Sequence, residues 1–226
     1  MDAGRKPPVK KVDDWNDWHD EYDDPDSELA GRARGVRRRV AELVTACTPG
    51  PVTVVSICGG QGREVIGALA DHPRRADVRG RLVELDPGNA EFARRSAEVA
   101  GLTGFAVVNG DASAQPAYAG LPPVDVAVVS GLFGHLDDDD QVRLISFLRS
   151  LLRPEASVVW TFFLRARRRT ERLRNFFAEQ GFEEVVFDQL PGEQYRFTVA
   201  VSRHHGDTQP RPEGDRIFTF GSSHAF

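Results

Sequence analysis

The sequence predicts an α/β fold built on a doubly wound, mostly parallel sheet, and three observations carry that expectation. The stretch 52–63 reads VTVVSICGGQGR, a run of β-branched and apolar residues ending in glycines, with a helical segment, 64–71, behind it. Further strand-like runs at 81–86, 105–108, 124–129 and 157–163 alternate with segments of helical spacing, the pattern of strand–helix–strand units. The chain then turns to two strand-like runs, 182–187 and 194–202, joined by Leu190-Pro191-Gly192-Glu193.

Before the first strand, residues 1–11 are basic and contain proline, the composition of a terminal tail. In 12–23 the residues Trp15, Trp18, His19 and Tyr22 recur at helical spacing, so a helix would carry all four on one face with acids around the rest. That face either docks on the domain or acts as a lid. Asp24-Pro25-Asp26-Ser27 breaks the helix and caps the next, 27–47, which carries Arg32, Arg34, Arg37, Arg38 and Arg39. These arginines read as a solvated face balancing the acidic segment, with a phosphate-rich partner as the other reading. Thr48-Pro49-Gly50-Pro51 turns into the first strand.

Beyond the glycines, 81–86 ends in acids, and Asp86-Pro87 starts a helix over 88–100. Glu84 stands about twenty residues past the glycine turn, the spacing at which an acid accepts hydrogen bonds from a ribose diol. The third run leads into Asn109-Gly110-Asp111-Ala112, and the fourth into Ser130-Gly131-Leu132-Phe133-Gly134-His135-Leu136. Asp137 to Asp140 reads as the acidic first turn of a helix, 141–152. After the strand 157–163 comes a helix, 165–180, stopped by Gly181. Residues 204–216 are a polar connection in which His204 and His205 lack a third metal ligand nearby. Ile217-Phe218-Thr219-Phe220 is apolar enough to dock, as an extra edge strand or against the lid.

Composition narrows the function. A chain of 226 residues is one domain by length and can bury a substantial core. Acids exceed bases by 34 to 29, a net charge of -5, which argues against a general nucleic-acid binder. Cys47 and Cys58 suggest neither a disulfide framework nor a metal cluster, and no metal is expected. With no signal peptide and no long apolar run, the expected setting is the cytoplasm, without a membrane span.

The glycine turn separates the candidate chemistries. A dinucleotide fold wants G-x-G-x-x-G, but Gly60-Gln61-Gly62 is followed by Arg63, Glu64 and Val65; a P-loop wants Gly-Lys-Ser/Thr, which is absent. The stretch resembles motif I of the class I S-adenosylmethionine-dependent methyltransferases, with Gly60 and Gly62 matching, Ser56 in place of the usual acid and Cys58 in place of the first glycine. Asn109 to Ala112 resembles the family's third motif, and Leu151-Leu152-Arg153-Pro154-Glu155-Ala156 its L-x-P-G-G turn, so the resemblance runs from 52 to 202 in order. It implies a Rossmann-like sheet of about seven strands in the order 3-2-1-4-5-7-6, the last strand antiparallel, with N-terminal lid helices. On that basis 1–51 holds the tail and lid, 52–203 the cofactor-binding domain and 204–226 a C-terminal tail. The cofactor would be S-adenosyl-L-methionine, held by Ser56, Cys58, Gly59, Gly60, Gly62, Glu84, Leu85, Asp111, Ala112, Ser130 and Gly131, with Asp111 reading the adenine amino group.

Methyl transfer from a sulfonium is an in-line displacement in which alignment and water exclusion carry most of the effect. A base is needed only for an acceptor that carries a proton at attack. His135, beyond the fourth strand, is the first candidate, followed by His19 and Tyr22 on the possible lid. The expected reaction is methylation of a small-molecule acceptor, in specialised metabolism. The alternative is a methyltransferase-fold protein that binds the cofactor without transferring methyl, as a cyclase or regulatory subunit, and the changes at Ser56, Cys58 and Glu155 keep that alternative open. A nicotinamide-dependent reductase would need the missing third glycine and a further parallel strand in place of the terminal pair.

Overall fold

The computed structural model describes residues 21–164, 167–193 and 195–220. Its elements in chain order are α1 (Glu28–Ala46), β1 (Val52–Ile57), α2 (Val65–Leu69), β2 (Val78–Glu84), α3 (Pro87–Val99), β3 (Phe105–Asn109), β4 (Val124–Val129), α4 (Asp138–Leu151), β5 (Leu152–Phe163), α5 (Arg167–Glu179), β6 (Phe182–Gln189) and β7 (Phe197–His204). The seven strands form one sheet in the order β3-β2-β1-β4-β5-β7-β6. The first five are parallel, and β7 runs antiparallel to both β5 and β6. This is the doubly wound order expected from the sequence. It makes β1 the strand from which the chain winds in both directions, so a crevice opens at its carboxyl end.

Every residue of β1 and β4 is buried, as strands covered on both faces require, which is why they read as nearly continuous apolar runs broken only by Thr53, Ser56 and Asp125. The buried Asp125 in β4 is satisfied by the Thr53 N–H at 2.7 Å and by Arg153. Trp160 of β5 is fully buried, its indole N–H donating to Ser202 Oγ of β7 at 2.9 Å. The helices start where the sequence supplies caps: Ser27, Asp86 and Asp137 each accept a backbone N–H three residues on, with Pro87 in the first turn of α3.

Several elements differ from the sequence expectation. Residues 1–20, with Trp15, Trp18 and His19, lie outside the described residues. The expected helix does not reach Tyr22, because 21–27 form turns: Pro25 disfavours helix at Asp24, and Ser27 Oγ donates to the Glu21 carbonyl. Strand β2 begins at Val78 rather than 81, its alternation hidden by Arg79 and Gly80 although the ladder to β1 runs from Val52↔Val78. The turn expected at 151–156 is instead a bulge inside β5, between the pairs Val124↔Leu152 and Val126↔Ser157. There Glu155 adopts φ 64° in place of a glycine, and its carboxylate meets His205 Nδ1 at 2.9 Å. Arg32 is not on a solvated face; it is 2 % exposed.

The tail forms no edge strand of the sheet; whether it meets the expected lid falls on residues 1–20, which lie outside the described residues. Residues 205–220 run back across the strand ends as a strap. Thr208 donates to the Leu152 carbonyl, and the Gln115 side-chain amide donates to the carbonyls of Pro212 and Gly214 at 2.8 and 2.6 Å. A lone bridge pairs Ala114 with Arg216, Ile217 and Phe218 are buried, and the Thr219 N–H ends the strap on Asp140 Oδ2 at 2.9 Å.

Candidate active site

At the carboxyl ends of β1, β2, β3 and β4 the structure has a cleft of about 810 Å³. Its floor begins with the glycine turn. Cys58 adopts φ 51°, a left-handed conformation a glycine would take freely and that costs about 1 kcal/mol for other residues, so the turn keeps its shape without the first motif glycine. The Gly59 N–H donates to the Val83 carbonyl at 3.1 Å and the Gly62 N–H to the Gly59 carbonyl at 2.9 Å, tying the turn to β2 and to itself.

Glu84 ends β2 with its carboxylate fixed from both sides. Oε2 accepts the Gly60 N–H at 2.8 Å and Oε1 the Asp86 N–H at 2.9 Å. Each oxygen keeps a further lone pair for a ligand hydroxyl. Asn109, at the end of β3, donates to the carbonyls of Glu84 and Leu85, which holds Leu85 out at the cleft, 67 % exposed. Asp111 Oδ1 accepts the Ser113 N–H at 2.8 Å and its hydroxyl at 2.7 Å. Partial burial would raise the Asp111 carboxyl, but those bonds and the nearby Arg216 outweigh it and hold the group below the usual range.

At the other end, beyond β4, a buried charged group closes the floor. Arg32 donates from Nε to Glu64 Oε1 at 3.1 Å and from Nη2 to the Tyr22 hydroxyl, and its guanidinium lies 5.0 Å from the Phe197 ring centre. Ser130 Oγ donates to the same Glu64 oxygen at 2.9 Å, and the Gly131 N–H donates to Thr161 Oγ1 at 2.8 Å. Gly131, at φ 74°, passes so close to Arg32 that a Cβ would lie 3.3 Å from Nη1. Burial pushes the Tyr22 phenol up to about 12.

Of the residues expected at a cofactor or catalytic site, Tyr22, Cys58, Gly59, Gly60, Glu84, Leu85, Asp111, Ala112, Ser130 and Gly131 line this cleft. Three do not. Ser56 is buried within β1. Gly62 faces the opposite side, where a Cβ would meet Ile66 Cδ1 at 2.4 Å, so it serves the turn and the packing of α2. His135 stands behind Phe220, their rings stacked at 5.2 Å, and only Phe220 lines the cleft. Burial, with Arg169 and Arg32 adding to it, lowers His135 to about 4. His19 lies outside the described residues.

Sequence reasoning missed Arg32, Glu64 and the strap residues Arg216, Phe218 and Phe220, all of which line the cleft. Arg32 left a signal: it falls on the stripe of Leu29, Ala33, Val36, Val40 and Val44 that α1 buries. A larger, open groove of about 1030 Å³ lies between α2 and α3 beyond Gly62; it contains none of the strand-end acids.

The geometry fits an adenosine-bearing ligand: a fixed carboxylate with spare lone pairs, an ionised aspartate one strand away and exposed apolar surface between them. Comparison with known proteins agrees. The chain is similar in structure to the magnesium protoporphyrin IX methyltransferase of Synechocystis solved with bound SAM, at 16% identity and a TM-score of 0.64 over 84% of this chain and 90% of that one. It is also similar to an O-methyltransferase family 2 protein of Planctomyces limnophilus in complex with apigenin, at 21% identity and a TM-score of 0.57 over 77% of this chain; this chain spans 59% of that protein. A third likeness is to the precorrin-6y C5,15-methyltransferase of Geobacter metallireducens, at 14% identity and a TM-score of 0.55 over 75% of this chain and 87% of that one. At these identities the likeness is one of fold. Among proteins of curated function, none matches the chain by sequence. The protein family described as "Putative methyltransferase" matches residues 33–162, more than half of the chain. The chain belongs to this methyltransferase family and has the fold of the class I S-adenosylmethionine-dependent enzymes.

Proposed function

We propose that the cleft binds S-adenosylmethionine and that the protein methylates a small-molecule acceptor. The observation that carries the reading is the Glu84 carboxylate, held by the N–H groups of Gly60 and Asp86 at the end of β2 with one acceptor position left on each oxygen. Glu84 would take the ribose hydroxyls, Asp111 the adenine amino group, and Arg32, balanced by Glu64, would face the amino-acid end. Bound there, the cofactor supplies an activated methyl group on a sulfonium.

The chain's own contribution is placement and exclusion of water. Tyr22, at about 12, keeps its proton at neutral pH, so it shapes the cleft and does not act as a base. His135 is shielded by Phe220, so among the described residues placement and orientation are the expected source of rate. Leu132, Phe218 and Phe220 give the acceptor side apolar and aromatic surface, suited to an organic small molecule. The solved relatives named for porphyrin and precorrin methylation, and the one complexed with apigenin, support that acceptor class. The left-handed Cys58 argues against a cradle degraded by the loss of its glycine.

Calorimetric titration with S-adenosylmethionine and S-adenosylhomocysteine, with NADH as control, tests the reading. Micromolar binding of the sulfonium pair alone is expected, after which acceptors are screened for the mass gain of one methyl group. Absence of binding by either ligand would overturn the assignment.

A further inference from the structure

We infer that Arg216, on the C-terminal strap, is a further cofactor-binding residue that lays its guanidinium over the adenine ring; the inference rests on the cleft's being an adenosine site. Arg216 lies outside the stretch matched by the family, 33–162, and belongs to no element of the sheet. Its main chain is nonetheless fixed on both sides. The Gln115 N–H donates to the Asp215 carbonyl at 2.8 Å and the Ile217 N–H to the Ser113 carbonyl at 2.7 Å, with Ile217 and Phe218 buried behind.

That anchoring delivers a cation to the lip of the cleft beside Asp111. Arg216 Nη2 is 3.7 Å from Asp111 Oδ2, an ion pair too long to be a hydrogen bond. The side chain is 62% exposed, so the guanidinium is tethered near the carboxylate by charge and can still turn its flat face to a ligand. Around it the cleft presents Glu84, Asp86 and Asp111, a wall that favours a cation, and the apolar surface of Leu85 and Ala112. A ring whose amino group reaches Asp111 comes within reach of the guanidinium, and a planar cation against a π-face is attractive. Asp111 would thus fix the ring's edge and Arg216 cover its face.

The test uses the full chain as wild type, Arg216→Ala and Arg216→Lys, titrated calorimetrically with 5′-methylthioadenosine and with S-adenosylhomocysteine, with a thermal melt of each protein. Both ligands carry adenine and only the second carries the amino acid. Arg216→Ala is expected to weaken both by the same factor, about tenfold, with an unchanged melt, and Arg216→Lys to recover part of the loss. Wild-type affinity in Arg216→Ala, or a loss confined to S-adenosylhomocysteine, overturns the assignment. Failure of the wild type to bind either ligand would instead defeat the adenosine reading itself, and the inference with it.

Discussion

Arg32 is the residue on which the β4 end of the cleft depends. A guanidinium this deeply buried needs partners, and Glu64 and Tyr22 are two of them; among the described residues the Glu64 carboxylate is met by Arg32 and Ser130. Arg32→Met should therefore cost about 3–5 kcal/mol, largely from the carboxylate left behind, and the double variant Arg32→Met with Glu64→Gln should recover much of it; urea unfolding of the three proteins measures both steps. His135 makes a different prediction. Its folded value, about 4, lies below the ordinary 6.5, so between those limits the unfolded chain takes up a proton that the folded chain refuses. Stability should be level in this respect above pH 6.5 and fall as the pH drops towards 4, by up to about 3 kcal/mol. Unfolding midpoints of wild type and His135→Asn across that range should converge in slope if another group is responsible. The sequence pointed to Glu84 by its distance from the glycine turn and to Asp111 by the resemblance to the family's third motif, and both line the cleft. Arg32 reads in sequence as one more surface arginine, although it falls on the apolar stripe that α1 buries.

Among the elements, β2 shows how a strand can hide. Gly80 pairs with Val54 on one side and Phe105 on the other, at φ 146°, and a Cβ there would lie 1.8 Å from the Val54 carbonyl oxygen. The residue that conceals the strand from periodicity is thus the one that lets β1 and β2 approach. Gly80→Ala should destabilise the protein by more than about 2 kcal/mol, seen as a lower urea midpoint, while the affinity of the molecules that still fold is unchanged. The bulge in β5 misled for a related reason: Pro154 and Glu155 signal a turn, and the chain does depart from the ladder there, but the pairing resumes at Ser157. Local residue chemistry gave the departure and could not give the resumption, which depends on β4.

At the scale of the whole molecule, the fold class was legible in the alternation of strands and helices, and the strand order followed from the family resemblance. The strap was not. Nothing in residues 205–220 announces that Gln115, about a hundred positions earlier, will hold Pro212 and Gly214, because such a contact is specified only once the sheet exists. The order of synthesis gives this a temporal meaning. The walls of the cleft outside the strap come from residues between Tyr22 and Leu132, whereas the strap follows the last strand and is made after the whole sheet. A nascent chain carrying all seven strands, through His204, would still lack the wall that Arg216, Phe218 and Phe220 supply.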